Sequence, residues 1–159
     1  MNPCDPPAIQ SGELFSSTKA HTDFVKSLLV LPSPRLLVSG GSDKMVRVWY
    51  ACAQHRKRDM THTNCRDLST PNQRKPLRSM GSISSHRRPV ECLAAKDVSV
   101  TSATLYTADT MGVINIWSII KDNGSSPGLR ITLQKELAIH QGRINEIFYG
   151  NGQLWTGMS

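Results

Sequence analysis

The fold turns on "RLLVSGGSDKMVRVWY", Arg35 to Tyr50. "LLVSGG" is a run of apolar and small residues of the kind that fits a pleated, buried strand. "SDK" breaks the run with turn chemistry, because an Asp side chain can accept hydrogen bonds from nearby backbone amides. "MVRVW" then alternates apolar and polar at Val46, Arg47 and Val48, the period of a half-buried strand. Upstream, "FVKSLLVLPSP" (Phe24 to Pro34) reads as another strand, closed by a Pro-containing turn. Three short antiparallel strands in succession are expected here.

The pattern recurs. "PVECLAAKDVSVTSATLYTADTMGVINIWSI" offers strands near Val90 to Ala95, Thr104 to Thr107 and Val113 to Ile119. "GRINEIFYGNGQLWTGMS" offers one near Arg143 to Tyr149, a turn at "GNG" and a strand from Gln153. A His precedes each first strand, at His21, His86 and His140, and a strand-like stretch precedes each His: "GELFSSTKA", "KPLRSMGSIS" and "RITLQKELAI". The unit is therefore four strands with a His at the entry to the second.

A four-strand unit of this kind resembles the WD40 repeat, the blade of a β-propeller. The resemblance rests on "LLVSGGSDKMVRVWY" and "LYTADTMGVINIWS", with "AH", "SH" and "IH" standing where the family usually has Gly-His. It implies an all-β fold of antiparallel four-stranded blades, two full and part of a third, in an incomplete ring. The divisions expected are a disordered tail (1–11), a first blade (12–49), a basic loop or insertion (50–73), a second blade (74–119), a linker (120–128) and a partial third blade (129–159). A ring needs about 4–8 blades, so the resemblance implies a piece of a longer propeller.

The family also places a hydrogen-bonded His, Ser/Thr, Asp and Trp inside each blade. The resemblance assigns His21, Ser39, Asp43 and Trp49 to the first, His86, Thr107 and Trp117 to the second, and His140 and Thr156 to the third. In the second unit Met111 holds the Asp position six before the Trp, and Asp109 sits two residues early, so that blade is expected to lack its carboxylate. Ser39, His21 and Asp43 are also the residue types of a hydrolase triad. However, "LLVSGG" lacks the leading Gly of a Gly-x-Ser-x-Gly elbow, and only the blade accounts for Trp49.

The spacing between His residues is 65 and then 54, against about 40–45 for the family. Much of the first excess lies in "YACAQHRKRDMTHTNCR", Tyr50 to Arg66, which shows neither helical nor strand periodicity. Deleting it joins Trp49 to Asp67 and restores a Trp-Asp pair, so a short intron translated in frame (50–66) is one reading and a loop insertion the other. Cys52, His55, His62 and Cys65 in this segment are residue types that bind zinc. The six-residue spacer is short, the order is unusual, and no apolar residues support a metal-stapled core, so no metal or cofactor is expected.

The net charge of +7 belongs to one stretch. Between Ala51 and Val90 there are nine Lys or Arg and two Asp, and the remaining residues sum to zero. A nucleic-acid- or phosphate-binding module is thus the alternative function, but no aromatic is interleaved among these charges to stack on bases. No apolar run is long enough to span a bilayer. The start, "MNPCDPPAIQ", lacks the basic and apolar regions of a signal peptide. A cytoplasmic or nuclear location with reduced cysteines is expected. The expected role is a non-catalytic scaffold for other proteins, with no membrane, nucleic-acid or small-molecule partner. Its contacts would come from blade-edge loops, with Arg47, Arg87, Arg88 and Arg143 as the charges to test.

Overall fold

The computed structural model describes residues 18–32, 35–50, 77–84, 86–122 and 128–159. These residues form ten β-strands and no helix. The first sheet joins β1 (Val25–Leu31), β2 (Leu36–Gly41), β3 (Val46–Tyr50) and β4 (Arg78–Ile83) in that order. The second joins β5 (Val90–Ser99), β6 (Ser102–Asp109), β7 (Val113–Asp122) and β8 (Gly128–Ala138). The third pairs β9 (Ile144–Gly150) with β10 (Gln153–Met158). Every pairing is antiparallel.

The sheets and the sequence units are offset by one strand. β4 was expected to open the second unit, but its partner is β3, with Arg78 opposite Tyr50. Likewise β8 was expected in the third unit and pairs instead with β7 along its whole length. The segment before each His therefore completes the preceding sheet, and the His marks the crossing to the next. The expected linker (120–128) is shorter than supposed, since β7 runs to Asp122 and β8 begins at Gly128. The expected first strand "GELFSSTKA", the tail (1–11), the intron reading (50–66) and the zinc set all fall wholly or mainly outside the described residues. The described chain leaves β3 at Tyr50 and enters β4 at Arg78, and these two residues are paired. Loop-closure entropy rises only slowly with length, so this is a tolerant place for extra residues.

One irregularity repeats in all three sheets. Each inner strand carries one extra residue against its neighbour: Lys26 in β1, Glu91 in β5 and Asn145 in β9. A bulge of this kind bends the strand and re-aims the side chain. Two apolar layers hold the sheets together. One face of the first sheet (Leu36, Val38, Val46, Val48) packs on Leu93, Leu105, Trp117 and Ile119 of the second. The opposite face of the second (Cys92, Ala94, Tyr106, Ile114) packs on Ile144 and Ile147 of the third. There the Tyr106 and Tyr149 rings stack with centroids 5.6 Å apart. The three sheets thus lie side by side in an open arc, each turning the same kind of face toward the one before it.

Candidate functional site

Strand alternation puts Ser39, Arg47 and Trp49 on one face of the first sheet. The indole Nε1–H of Trp49 donates to Ser39 Oγ at 3.1 Å. Ser39 Oγ lies 2.8 Å from His21 Nε2, and His21 Nδ1 lies 2.8 Å from Asp43 Oδ1. An indole only donates and a carboxylate only accepts, so the donors run Trp49 to Ser39 to His21 to Asp43, with the His21 proton on Nδ1. Asp43 also accepts from the Thr22 and Met45 amides, which ties the β2–β3 turn to the entry of β1. Burial raises the Asp43 pKa, but hydrogen bonds from His21, Thr22 and Met45 outweigh it and hold the carboxyl below its usual range.

The second sheet repeats the chain. Trp117 donates to Thr107 Oγ1 at 3.0 Å, and Thr107 Oγ1 lies 2.6 Å from His86 Nε2. Here the sequence expectation is corrected, because the second sheet does have its carboxylate. Asp109 Oδ2 lies 3.4 Å from His86 Nδ1, and its Oδ1 accepts from the Met111 and Val113 amides. Thr107 and Asp109 are two apart on one strand, so both side chains emerge on the same face. That period, rather than a fixed distance to the Trp, was the signal available in the sequence. Asn115 joins the cluster, with its amide nitrogen 3.4 Å from His86 Nε2. Burial lowers the His86 pKa, opposed by its hydrogen bond to Asp109 and the charges of Asp109 and Glu136. In the third sheet His140 Nε2 lies 2.9 Å from Thr156 Oγ1.

Ser39, His21 and Asp43 have the connectivity of a hydrolase triad. Ser39 is nonetheless buried, with its oxygen already engaged by Trp49. A nucleophile must reach a substrate carbonyl with a free lone pair, and Ser39 is placed to hold strands together instead.

The networks fix one end of the arc. Ser42 N bonds Phe24 O and Thr110 N bonds Pro89 O, so each β-turn is clasped to the connection that enters its own sheet. The next connection lies over the β6–β7 turn so closely that a Cβ on Gly112 would sit 2.3 Å from the His140 carbonyl oxygen. Arg87 and Arg88, from the connection before β5, are exposed at this end together with Met111. The four expected arginines do not act alike. Arg143 is ion-paired with Glu91 of the second sheet, which Lys26 of the first approaches to 3.8 Å, so the bulged Glu91 links all three sheets. Arg47 lies in mid-strand, half-buried, in a cleft of about 350 Å³ lined also by Lys19, Thr22, Trp49 and Ser79. Burial drives the Cys92 thiol up to about 12, so it is an inert apolar filler between the second and third sheets. No group of three or more metal-binding side chains is found among the described residues.

The family model of the WD domain, G-beta repeat, matches residues 12–50. Over 117 residues, 74% of this chain, the sequence is 27% identical to an uncharacterized WD repeat-containing protein of Schizosaccharomyces pombe. The chain spans 25% of that relative's length. Among solved structures, the crystal structure of the Myceliophteria thermophila Cps50 (Swd1) beta-propeller domain superposes with a TM-score of 0.55 and 13% identity. That match covers 92% of this chain and 38% of the other.

Proposed function

We propose, for a chain that is a WD40-repeat protein built of β-propeller sheets, a non-catalytic role as a docking platform for other proteins, as part of a larger ring. WD40 propellers in general serve as interaction scaffolds. The observation that carries the reading here is the loop end of the arc. Successive turns and connections are clasped together by His–carboxylate networks, and Arg87, Arg88 and Met111 are left exposed on that rigid base. Exposed arginines and large apolar side chains on a fixed support are what interface anchors require. The buried polar groups are spent on holding the sheets, which supports a structural rather than a catalytic use of Ser39 and His21.

Affinity capture with the whole chain tests this, beside an Arg87→Glu/Arg88→Glu variant of unchanged melting temperature. The expected result is a defined set of bound proteins that the variant loses. Equal capture by both forms, or retention of RNA that falls steeply with salt, would replace this reading with another.

A further inference from the structure

The hairpin of β5 and β6 reaches further than the hairpins on either side of it, at the end of the arc opposite the clasped turns. Leu36, Thr104 and Gln153 each stand three residues before the network Ser39, Thr107 and Thr156. In the first and third sheets that row is the last pair of the hairpin, Leu31 opposite Leu36 and Gly150 opposite Gln153. In the second sheet the same row, Lys96 opposite Thr104, is followed by two more pairs, Asp97 with Ala103 and Ser99 with Ser102. At about 3.3 Å per residue the tip, Val100 and Thr101, stands roughly 7 Å beyond its neighbours.

The tip departs from turn chemistry. The turn between β9 and β10 is Asn151-Gly152, with φ 52° and 79°, the residues that a two-residue hairpin turn favours. A β-branched Val is not a turn former, and at 77% exposed Val100 adds nothing to the core. The tip is braced all the same. Ser99 Oγ accepts from Thr101 N at 3.2 Å and lies 2.9 Å from Ser102 Oγ, and Lys121 N of β7 donates to Thr101 O at 2.7 Å. An apolar side chain on a braced projection loses little freedom when it binds. A residue that breaks a local rule without a gain to the fold marks a functional position.

Positive charge flanks the hairpin on both sides. Lys121 Nζ lies 5.0 Å from the ring centroid of Tyr50 in the first sheet, and Lys96 Nζ lies 5.7 Å from that of Tyr149 in the third. Each ring face attracts the ammonium group above it and holds it beside the base of the projection. Among the described residues at this end, Arg35, Lys96, Lys121 and Arg130 outnumber Asp97 and Asp122. One Val among the hydroxyls of Ser99, Thr101 and Ser102 is too little apolar area to hold a lipid surface, so the shape and charge favour a protein.

We propose that this hairpin is a second docking element, in which Val100 enters an apolar recess of a partner protein whose rim carries carboxylates for Lys96 and Lys121. The inference goes beyond docking at Arg87 and Arg88, which lie at the opposite end of the sheet.

Benzoylphenylalanine in place of Val100 in the full chain, photolysed in cells, reads the recess directly. The expected result is a cross-linked protein joined at an apolar residue with Asp or Glu close around it. That protein, purified, should bind Val100→Asp at least about tenfold more weakly than the wild type and Val100→Ile equally well. Lys96→Gln/Lys121→Gln should weaken binding by about threefold at low salt. Circular dichroism checks that each variant folds, and raised salt on the wild type takes the place of the lysine variant if it does not. Cross-links to lipid or RNA, no cross-link, a recess without carboxylates, or binding indifferent to Val100→Asp would each overturn the proposal. Arg87→Glu/Arg88→Glu should leave the cross-link from position 100 unchanged, so failure of the loop-end docking and failure of the hairpin docking are told apart.

Discussion

In the first sheet Gly41 stands at the strand position that faces the network histidine, and in the second sheet Asp109 stands there. A Cβ on Gly41 would lie 2.6 Å from His21 Nδ1 and 2.8 Å from Asp43 Oδ1. The room that glycine leaves is what lets Asp43 fold back from the turn to reach His21. Asp109 needs no such room, since it projects from the strand beside Thr107 and meets His86 directly. Met111, at the turn position equivalent to Asp43, is then free to face solvent. In both sheets a carboxylate sits on the imidazole Nδ1, and the chain supplies it from either of two backbone positions.

The turns differ in the same way. Lys44 and Gly112 are equivalent, and both have positive φ, 67° and 82°. Lys44 is exposed, whereas Gly112 lies under the His140 carbonyl. Gly112→Ala should therefore be the most damaging single change at the loop end. It adds left-handed strain to a backbone clash, costing roughly 3 kcal/mol. In a chain of this size that lowers the melting temperature by about 10 °C. A near-neutral result in thermal denaturation would mean that the third sheet's connection does not sit over this turn.

Removing the carboxylates should separate the two sheets next. Asp109→Ala strands the His86 Nδ1–H and two backbone amides in a buried site, for about 2–3 kcal/mol. Asp43→Ala leaves its donors nearer to solvent, which can partly replace the carboxylate, and should cost about half as much. Gly41→Asp alone should destabilise by crowding His21 and Asp43. Combined with Asp43→Met it transplants the second sheet's arrangement and should recover much of the loss. Denaturant unfolding of the two single variants and the double closes the cycle, and additive losses would show that the two arrangements are not interchangeable.

These comparisons also show what the residues disclose by themselves. Alternation at Val46 to Val48 and the His-to-Trp order were enough to read the strands and most of the network. The Asp was misplaced in the second sheet because a count back from Trp117 ignores which face a strand residue occupies. The offset of β4 and β8 was hidden for another reason: pairing partners are set by which sheet edge is open, and no local property of "RSMGSI" or "RITLQKEL" states that. The bulged Lys26 and Glu91, and hence the link through Arg143, depend on register, which a single strand does not carry.

Acid should act on the two networks in different windows. Burial keeps the folded His86 pKa below the usual 6.5, so below about pH 6.5 the unfolded chain binds this proton more readily than the folded one. Stability is thus full above that value and declines as pH falls. Asp43 is held below its usual 3.8, so its contribution persists to about pH 4 and is lost only as pH drops through the folded value. A melting-temperature series should show a first decline beginning near pH 6.5 that His86→Gln flattens, and a second below about pH 4 that Asp43→Asn flattens. A single transition unaffected by His86→Gln would mean that His86 is not held neutral by its surroundings.

The smallest expected effect lies at Lys44. Holding a non-glycine residue at φ 67° costs on the order of 1–2 kcal/mol, while glycine raises the unfolded-state entropy by roughly 0.5–1 kcal/mol equivalent. The Lys44 side chain is exposed, so its loss uncovers no core. Lys44→Gly should then stabilise by up to about 1 kcal/mol, opposite in sign to Gly112→Ala at the equivalent turn position. Paired denaturation curves measured together would resolve the sign. Destabilisation by both substitutions would show that the first turn takes something from Lys44 beyond its backbone angle, and the equivalence of the two turns would fail at that residue.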